Sequence, residues 1–499
     1  MAASRDTADL RGMSAAEAVL AAARLPGARP GPGGRLQVDL GRVLALALPL
    51  FLNAGIQSIL NLTDTWFVGR ISTSAIAAVA AVHWIVVGMI LLLGGVGLAV
   101  QTFAAQAHGA GRRRRASSYA WNGVWASLVL MPAFLAIAWG GTRLLPALAL
   151  DADVTRLAID YWAPRMGGGV LAVLLWSTQS FFNGVSRVRT TLAINVVVAL
   201  ANAVFDEVLM FRLGLGMAGA AWATNLAQAL GVAIGVWLLW GSPAVRDQFA
   251  AHLTWRPRPR LIRRMIVMGI GIGAMIAFDL LGLAVFQILM TRVSVLDGAA
   301  TQVVMMLTSI AYMPAVGLGM AGTTLVGQSI GAGSPAWARH VGNRVIALAA
   351  AYMGTVGVLI ALAGPLILPW FAIGESGAAS PGADAGGDAT LVALGSTLLW
   401  VAACYQFFDG LQLGAGFCLR GAGDTRFPAL ALLLLSWLVF LPLVHVLTFD
   451  GGAGPIAALP GIGAGSVGGW SAAVVYVTLL AVVLVSRWRS DRWTRIRVG

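Results

Sequence analysis

Four aspartates stand inside segments of the sequence that are otherwise apolar enough to lie in a lipid bilayer. They are Asp64, Asp206, Asp279 and Asp409. Placing one ionised aspartate near the bilayer midplane costs roughly 2.5 to 3.5 kcal/mol even on the more lenient insertion scale. A buried carboxylate can take up a proton or a small cation, so we predict that these four side chains couple ion movement to another event.

Two of these acids end stripes of polar residues spaced at helical intervals. One stripe consists of Asn53, Gln57, Asn61 and Asp64, and the other of Asn195, Asn202 and Asp206. Each stripe follows one helix face, which must point away from lipid. If Asp64 and Asp206 meet, their ionised forms repel, so the pair would share a proton or hold a cation such as Na⁺ together with Asn202. The alternative is that both acids are structural polar groups between helices.

The other two acids lie in the second half of the chain. Tyr405, Asp409 and Gln412 follow one face at steps of 4 and 3, and Asp279 lies on an earlier apolar segment. We predict cation coupling at Asp279 and Asp409 as well, with the alternative of a structural contact between lobes. The residues predicted to line a substrate cavity are Gln57, Asn61, Tyr405 and Gln412. Pro49 removes a backbone hydrogen bond within its segment and is a candidate gating hinge.

The composition places the chain among polytopic membrane proteins. It has 499 residues, of which 59% are hydrophobic and 11% charged, and its mean hydropathy is +0.83. These values lie far outside the range of soluble globular domains. Twelve apolar windows can each cross a ~30 Å hydrocarbon core as a helix. They fall at about 43–69, 74–108, 116–140, 154–182, 190–212, 217–241, 263–291, 298–330, 345–372, 390–419, 427–449 and 463–486.

The net charge of +13 reflects membrane orientation rather than nucleic-acid binding. All 33 basic residues are Arg, and 27 of them fall on one side if the N-terminus is cytoplasmic, against five on the other side and Arg165 within a span. The positive-inside rule therefore places both termini in the cytoplasm. We expect a multi-pass protein of the plasma (inner) membrane, monomeric, with no nucleic-acid partner and no cofactor besides a coupling ion. Cys404 and Cys418 share one span and imply no disulfide framework or metal site.

Repeated motifs divide the chain into two related halves. Gln106 and Gly109 at the end of span 2 correspond to Gln328 and Gly331 at the end of span 8, and Gly184 after span 4 corresponds to Gly421 after span 10. Transporter folds are commonly built from such repeats. The sequence thus predicts an all-α fold with two six-helix, pseudo-symmetric lobes around a central cavity. The predicted divisions are a disordered cytoplasmic tail (1–42), the first lobe (43–241), a basic linker (242–262), the second lobe (263–487) and a basic tail (488–499).

The chain resembles the multidrug and toxic compound extrusion (MATE) transporters over residues 43–490. The resemblance is carried by Asp64-Thr65 with Val68-Gly69-Arg70, by the glycine-rich motifs 106–111 and 326–333, and most specifically by 406–412 with 419–426. It implies twelve helices, alternating access and the export of organic, often cationic compounds. Asp64, Asn202 and Asp206 look like the coupling site of the DinF-like branch, whereas Asp279 and Asp409 look like the acidic site of the NorM-like branch. Here Asp279 replaces the commoner Glu, and Gly271 the usual Pro.

We therefore predict a transporter: an antiporter driven by H⁺ or Na⁺ that exports organic, cationic or amphipathic compounds by alternating access. One alternative is a flippase for lipid-linked precursors, which should line its cavity with several basic groups. Another is an intramembrane aspartyl protease, because Gly421 to Asp424 matches a Gly-x-Gly-Asp pattern. Asp424 lies between Arg420 and Arg426, where it would stay ionised instead of sharing a proton, so the enzyme alternative is disfavoured.

Overall fold

The protein is an all-α membrane protein, as the sequence predicts. The computed structural model describes residues 25–31, 35–148, 151–372, 385–452, 454–455 and 460–496. The first half contains α1 (Leu40–Gly69), α2 (Thr73–Gly109), α3 (Arg113–Val129), α4 (Met131–Leu144), α5 (Ala152–Gly167), α6 (Gly169–Gly184), α7 (Val188–Asp206), α8 (Gly216–Trp240) and the short α9 (Pro243–Phe249). The second half contains α10 (Pro259–Val293), α11 (Val295–Gly331), α12 (Pro335–Ala372), α13 (Ala385–Ala422), α14 (Arg426–Leu435), α15 (Leu441–Thr448) and α16 (Gly465–Arg489).

Eleven helical segments of the described residues are long and apolar enough to cross a membrane. The predicted span at 154–182 is not among them, because it forms two helices of 16 residues each, α5 and α6, which are separated at Gly168. Pro164 and the glycines that follow it favour this break. A side chain at Gly168 would also meet Asn225 of α8, since a Cβ there would lie 2.2 Å from the Asn225 amide nitrogen. The count of twelve membrane helices stays a prediction.

The described residues form two large apolar cores. One is formed mainly by α2 to α8 together with Met265, Met268 and Ile272 at the start of α10, and the other mainly by α10 to α16 together with Val43, Ala47 and Leu50 at the start of α1. The linker predicted at 242–262 contains α9 and then passes into α10 at Pro259, a few residues earlier than the hydropathy suggests. Polar contacts hold this linker to the first lobe: Trp121 donates to the carbonyl of Ala251 at 2.9 Å, and Arg187 donates to Gln248 at 2.8 Å.

Part of the N-terminal segment that we predicted as a disordered tail is ordered. Ala28–Pro30 and Leu36–Val38 pair as an antiparallel hairpin, and helix α1 already begins at Leu40. Trp337 of α12, which is 1% exposed, donates its indole N–H to the carbonyl of Pro26 at 2.9 Å. The apolar residues of the hairpin outweigh the Gly, Pro and Arg content on which the prediction rested. Residues 1–24 of the predicted tail lie outside the described residues.

The basic C-terminal tail predicted at 488–499 is also packed as far as it is described. Trp493 stacks on Trp488 with 4.6 Å between ring centroids, and its indole N–H donates to the Trp488 carbonyl at 2.6 Å. Immediately before this tail, Arg487 forms an ion pair with Asp424 at 2.7 Å. The tail therefore caps the same end of the second lobe as the loop before α14.

The two lobes join at the end of the molecule that carries Arg112 to Arg115, here called the arginine-rich end. Gln106 of the first lobe donates to the carbonyl of Gly421 at 3.1 Å, and Gln328 of the second lobe donates to the carbonyl of Gly184 at 2.8 Å. These are the residues that the sequence repeat pairs with one another. Further hydrogen bonds join the lobes close to this contact within the described residues, so the arginine-rich end is closed.

Candidate functional site

The first lobe brings together three of the residues predicted to couple ions. Asn202 of α7 donates its side-chain amide to Asp64 of α1 at 2.8 Å and to Asp206, one turn further along α7, at 2.5 Å. The carboxyl groups of Asp64 and Asp206 interact with each other and share the amide of Asn202 as a donor. Asp206 is fully buried and Asn202 is 1% exposed, whereas Asp64 is half-buried. We call this group the acid pair.

Two oxygen atoms of the acid pair have no hydrogen-bond partner among the described residues. They are Oδ1 of Asp206 and Oδ1 of Asn202, and both are inaccessible to solvent. Buried polar atoms nearly always have a partner, and leaving one without costs about 1–3 kcal/mol. Thr224 of α8 adds a hydroxyl that donates to the carbonyl of Ala220 at 3.1 Å and also interacts with Asp64. The oxygens of these four side chains can accept a proton or surround a small hard cation such as Na⁺.

An arginine on α5 lies beside the acid pair. Arg165 donates to the side-chain oxygen of Asn225 at 3.3 Å, and Asn225 in turn donates to the carbonyl of Pro164 at 2.7 Å. Tyr161 lies one turn before Arg165 on the same face of α5 and interacts with its charge. The guanidinium is close enough to Asp64 to attract its carboxylate. The pocket therefore combines two acids with one permanent positive charge.

The polar stripe of α1 has one part that is hydrogen-bonded within the first lobe and another part that is exposed. Asn53 accepts a hydrogen bond from Asn195 of α7, and Gln179 of α6 donates to Asn195 at 2.5 Å, so this part of the stripe is tied to its own lobe. Gln57 and Asn61, predicted as substrate-cavity residues, are exposed and hydrogen-bond only weakly to each other at 3.4 Å. They remain free to contact another molecule.

The second lobe holds its two acids in a different arrangement. Asp409 of α13 is 4% exposed and accepts a hydrogen bond from Gln412 at 2.7 Å, while Asp279 of α10 is half-buried and interacts with Asp409 electrostatically. Predicted Tyr405 lies one turn from Asp409 and meets the Trp470 ring edge-on at 6.2 Å. The structure thus gathers Asp279, Asp409, Tyr405 and Gln412 into one group, here called the tyrosine pocket.

Two further tyrosines complete the tyrosine pocket. Tyr312 of α11 and Tyr476 of α16 both interact with Asp279 and Asp409. Tyr476 also stacks on Phe440 with 4.8 Å between ring centroids. Among the described residues that interact with these two acids, none carries a positive charge. Carboxylates and aromatic rings together suit an organic cation, because both attract positive charge.

Each pocket adjoins a π-helical segment in the corresponding span of the repeat. Glu207–Arg212 follows Asp206 directly, and Ser436–Phe440 lies between α14 and α15 in the second half. Such segments widen a helix locally, and they are frequent at functional sites. In the first lobe the widened turn begins at the end of α7, where the acid pair lies. In the second lobe it contains Phe440, which packs on Tyr476.

Pro49, the predicted hinge, is buried where the first lobe meets the second. It lies within α1 between Ala47 and Phe51, and a Cβ added to Gly317 of α11 would approach the backbone of both neighbours at 2.9 Å. Its ring removes one backbone hydrogen bond of α1 at this contact. A gating role for Pro49 stays a prediction.

The structure gives no support to chemistry at Asp424. This residue is paired with Arg487 at 2.7 Å, not with Arg420 or Arg426, the neighbours that the sequence suggested. The carboxylate is thus committed to an ion pair. Within the described part of the chain, no group of three or more His, Cys, Asp or Glu side chains is placed to hold a metal ion.

Several residues of the two pockets escape sequence reasoning. Tyr161, Arg165, Thr224 and Asn225 of the first lobe and Tyr312 and Tyr476 of the second lobe belong to no polar stripe. Arg165 did carry a signal, since it is the arginine that the hydropathy places within a span. An intramembrane charge needs a partner, and the nearest acids on other helices were the obvious candidates.

A groove of about 570 Å³ lies elsewhere on the first lobe. It is lined by Leu135, Ile159, Asp160, Ala163, Pro164, Gly167, Ala218 and Trp222. Asp160 and Tyr161 are neighbours in the chain, and their side chains therefore point about 100° apart around α5. The groove thus uses a different face of α5 from the one that carries Tyr161 and Arg165, and Asp160 lies outside the acid pair.

Comparison with known proteins identifies the family. The sequence pattern described as MatE matches residues 49–208 and 272–446. A protein of Bradyrhizobium diazoefficiens named probable multidrug resistance protein NorM is 31% identical over 443 residues, which cover 87% of this chain and 92% of the relative. A protein of Rhodopseudomonas palustris with the same name is 30% identical over 494 residues, covering 97% and 98%.

Solved structures agree with this assignment at the level of the fold. The outward-facing conformation of a multidrug resistance MATE family transporter superposes with a TM-score of 0.74 at 18% identity, covering 90% of this chain and 94% of that one. A eukaryotic MATE transporter gives a TM-score of 0.72 at 19% identity, covering 91% and 96%. The chain therefore belongs to the MATE family of multidrug and toxic compound extrusion transporters, and it is a transporter and not an enzyme.

Proposed function

We propose that this protein is a multidrug efflux antiporter of the inner membrane, driven by H⁺ or Na⁺ and exporting organic compounds that are cationic or amphipathic. The observation that carries the proposal is the buried acid pair with its two unpartnered oxygens at Asp206 and Asn202. Binding of a proton or a cation would stabilise this site, because it gives the unpartnered oxygens a partner and reduces the repulsion between the two carboxylates. The relatives named as multidrug resistance proteins support the substrate class.

In the proposed cycle the two pockets have different tasks. The acid pair of Asp64, Asn202 and Asp206 takes up the coupling cation. The sequence alone predicts cation coupling at Asp279 and Asp409 as well, but their aromatic surroundings lead us to propose that the tyrosine pocket holds the positive part of the substrate. Gln57 and Asn61 supply exposed amides that can hydrogen-bond to a substrate between the lobes. Cation binding and substrate binding then favour opposite orientations of the lobes, and each ligand shifts the equilibrium only through its different affinity for the two states.

The orientation of the molecule follows from its arginines. We propose that the arginine-rich end and both termini are cytoplasmic, because positively charged segments stay on that side during insertion. The closed contact through Gln106 and Gln328 then seals the cytoplasmic side, and the lobes are positioned to release substrate outward. Pro49 lies at the contact of α1 with α11, where bending of α1 would accompany reopening.

The test is efflux of ethidium from proteoliposomes under separately imposed pH and sodium gradients. We expect one of the two gradients to drive ethidium transport in the wild type, and Asp64→Asn to abolish that dependence. Asp160→Asn is the matched control, since Asp160 is an exposed acid of the same lobe outside the acid pair. Undiminished coupling in Asp64→Asn would remove the acid pair from the mechanism. Transfer of labelled lipid with no response to either gradient would favour the flippase alternative.

A further inference from the structure

The first lobe contains a fixed positive charge, that of Arg165, which interacts with Asp64 of the acid pair. Arg165 is half-buried within α5 and donates to the side-chain oxygen of Asn225 at 3.3 Å. Asn225 is itself anchored to the carbonyl of Pro164 at 2.7 Å. The guanidinium is thus fastened to α8, and its charge interacts with the carboxylate of Asp64.

Among the described residues, the charged side chains that interact in and around the acid pair are two aspartates and one arginine. Asp64 faces it from α1, Asp206 from α7, and Arg165 with Tyr161 from α5. Helix α8 contributes only the uncharged Thr224 and Asn225. His83 of α2 lies near Arg165 and adds no charge while its imidazole is neutral. With both aspartates ionised, the pocket carries two negative charges and one positive charge, because arginine keeps its proton in proteins.

A pocket with this balance needs one cation to become neutral. Net charge is costly where water is excluded, as it is at fully buried Asp206, so the occupied pocket should approach neutrality. Without the guanidinium, the same two carboxylates would need two cations. Resting on the proposed function, we infer that Arg165 limits the first-lobe site to a single coupling cation per cycle and so lowers the charge stoichiometry of exchange by one.

This limit has a consequence for the driving force. If one coupling cation exchanges for one monovalent organic cation, no net charge crosses the membrane. Membrane voltage then contributes nothing, and only the concentration gradient of the coupling ion drives export. Removing Arg165 adds one cation to the cycle. A potential of 100 mV should then change the steady-state substrate gradient by about fiftyfold relative to the wild type.

The first measurement counts cations without transport. Ethidium is added to purified protein in weakly buffered detergent solution, and the released protons are followed with an indicator, or released ²²Na⁺ is counted if sodium is the coupling ion. We expect Arg165→Met to release one more cation per ethidium than the wild type. Arg165→Lys keeps the charge and should release the wild-type number. Arg156→Met, on the same helix but paired with exposed Asp153, is the matched control and should also be unchanged.

The second measurement uses proteoliposomes with a valinomycin-imposed potassium potential. Arg165→Met should respond to voltage by about fiftyfold more per 100 mV than the wild type, and Arg165→Lys should behave as the wild type does. If Arg165→Met does not fold, Arg165→Gln replaces it in both measurements. Suppose that Arg165→Met or Arg165→Gln still couples transport and shows the same cation count and voltage response as the wild type. That result would overturn this inference and leave the proposed function standing. A wild type that exchanges neither protons nor sodium would overturn the proposed function instead.

Discussion

The two lobes have related helices but different chemistry in their pockets. In the first lobe, Asp64 and Asp206 share one amide donor, Asn202, and lie beside the positive charge of Arg165. In the second lobe, Asp279 and Asp409 have no such bridge among the described residues and are surrounded by tyrosines. A compact site with small polar partners suits a proton or Na⁺, whereas an aromatic site suits a larger organic cation. A repeated fold can therefore hold two different ligands.

The contact between the lobes shows the opposite behaviour, because there the repeat has kept its symmetry. Gln106 and Gln328 each donate to a carbonyl of the other lobe, and Gly109 and Gly331 each approach the backbone of the opposite glutamine. Both lobes must close on each other at this end, so the same geometry serves both. Differences between the pockets and likeness at the contact lead to four predictions.

The largest effect is expected when Asp206 becomes Asn. The substitution removes the fully buried carboxylate of the acid pair, and ion-driven accumulation of ethidium in proteoliposomes should fall to the level set by leak. Asp409→Asn should keep a measurable dependence on the ion gradient, because its carboxylate belongs to the other pocket. Efflux is followed by ethidium fluorescence under saturating substrate, and Asp160→Asn serves as the control. Equal loss of ion dependence in both variants would contradict the division of tasks.

The next effect is expected on substrate affinity. Asp409→Asn removes one charge from the tyrosine pocket, and losing one partner of a buried charge pair costs about 3 kcal/mol, or roughly 150-fold in affinity. Ethidium binding to purified protein is measured by fluorescence polarisation. A neutral, similarly sized aromatic compound should bind both forms alike, since it makes no ion pair. A comparable loss for the neutral compound would indicate that the variant has damaged the pocket itself.

Much of this arrangement was predictable from the sequence because membrane burial is so restrictive. A stripe of polar residues at helical spacing within an apolar segment must face protein or water, so the spacing places Asn202 and Asp206 on one inward face and Asp64 on another. That the two faces meet was implied by the resemblance to the MATE transporters. The repeat pairs Gln106 with Gln328 and Gly184 with Gly421, and the structure confirms the relation, because each glutamine bonds to the glycine of the opposite lobe.

Other features could not be found in this way. Tyr312 and Tyr476 are single polar residues on largely apolar stretches of helix, and their meeting depends on how α11 and α16 pack, which no local pattern encodes. The break at Gly168 was missed because hydropathy measures transfer into lipid and not helix continuity. The N-terminal hairpin was missed because its stability comes from contacts such as Trp337 with Pro26, 311 residues apart in the chain.

The third prediction concerns the close approach of the lobes. A Cβ at Gly109 would lie 1.9 Å from the carbonyl oxygen of Gln328, and one at Gly331 would lie 2.0 Å from that of Gln106. Overpacking of this kind costs about 2 kcal/mol, so Gly109→Ala and Gly331→Ala should each lower the population of the closed arginine-rich end by roughly 30-fold. Distances between spin labels on the two lobes measure that population. Gly140→Ala, which meets no atom within 4 Å, is the control.

The smallest effect is expected from the glutamines themselves, and it tests the symmetry most directly. Gln106→Ala removes one hydrogen bond to Gly421, whereas Gln328→Ala removes bonds to Gly184 and Ser186. At about 1 kcal/mol for each bond, Gln106→Ala should shift the closed population about fivefold, the smallest shift of all, and Gln328→Ala up to about 30-fold. Gln57→Ala, which loses only a weak surface bond within the first lobe, should leave the spin-label distances unchanged. If only one of the two substitutions changed the closed population, the contact between the lobes would be energetically asymmetric, as the two pockets are. The repeat would then have kept the geometry of this contact without keeping an equal contribution from each lobe.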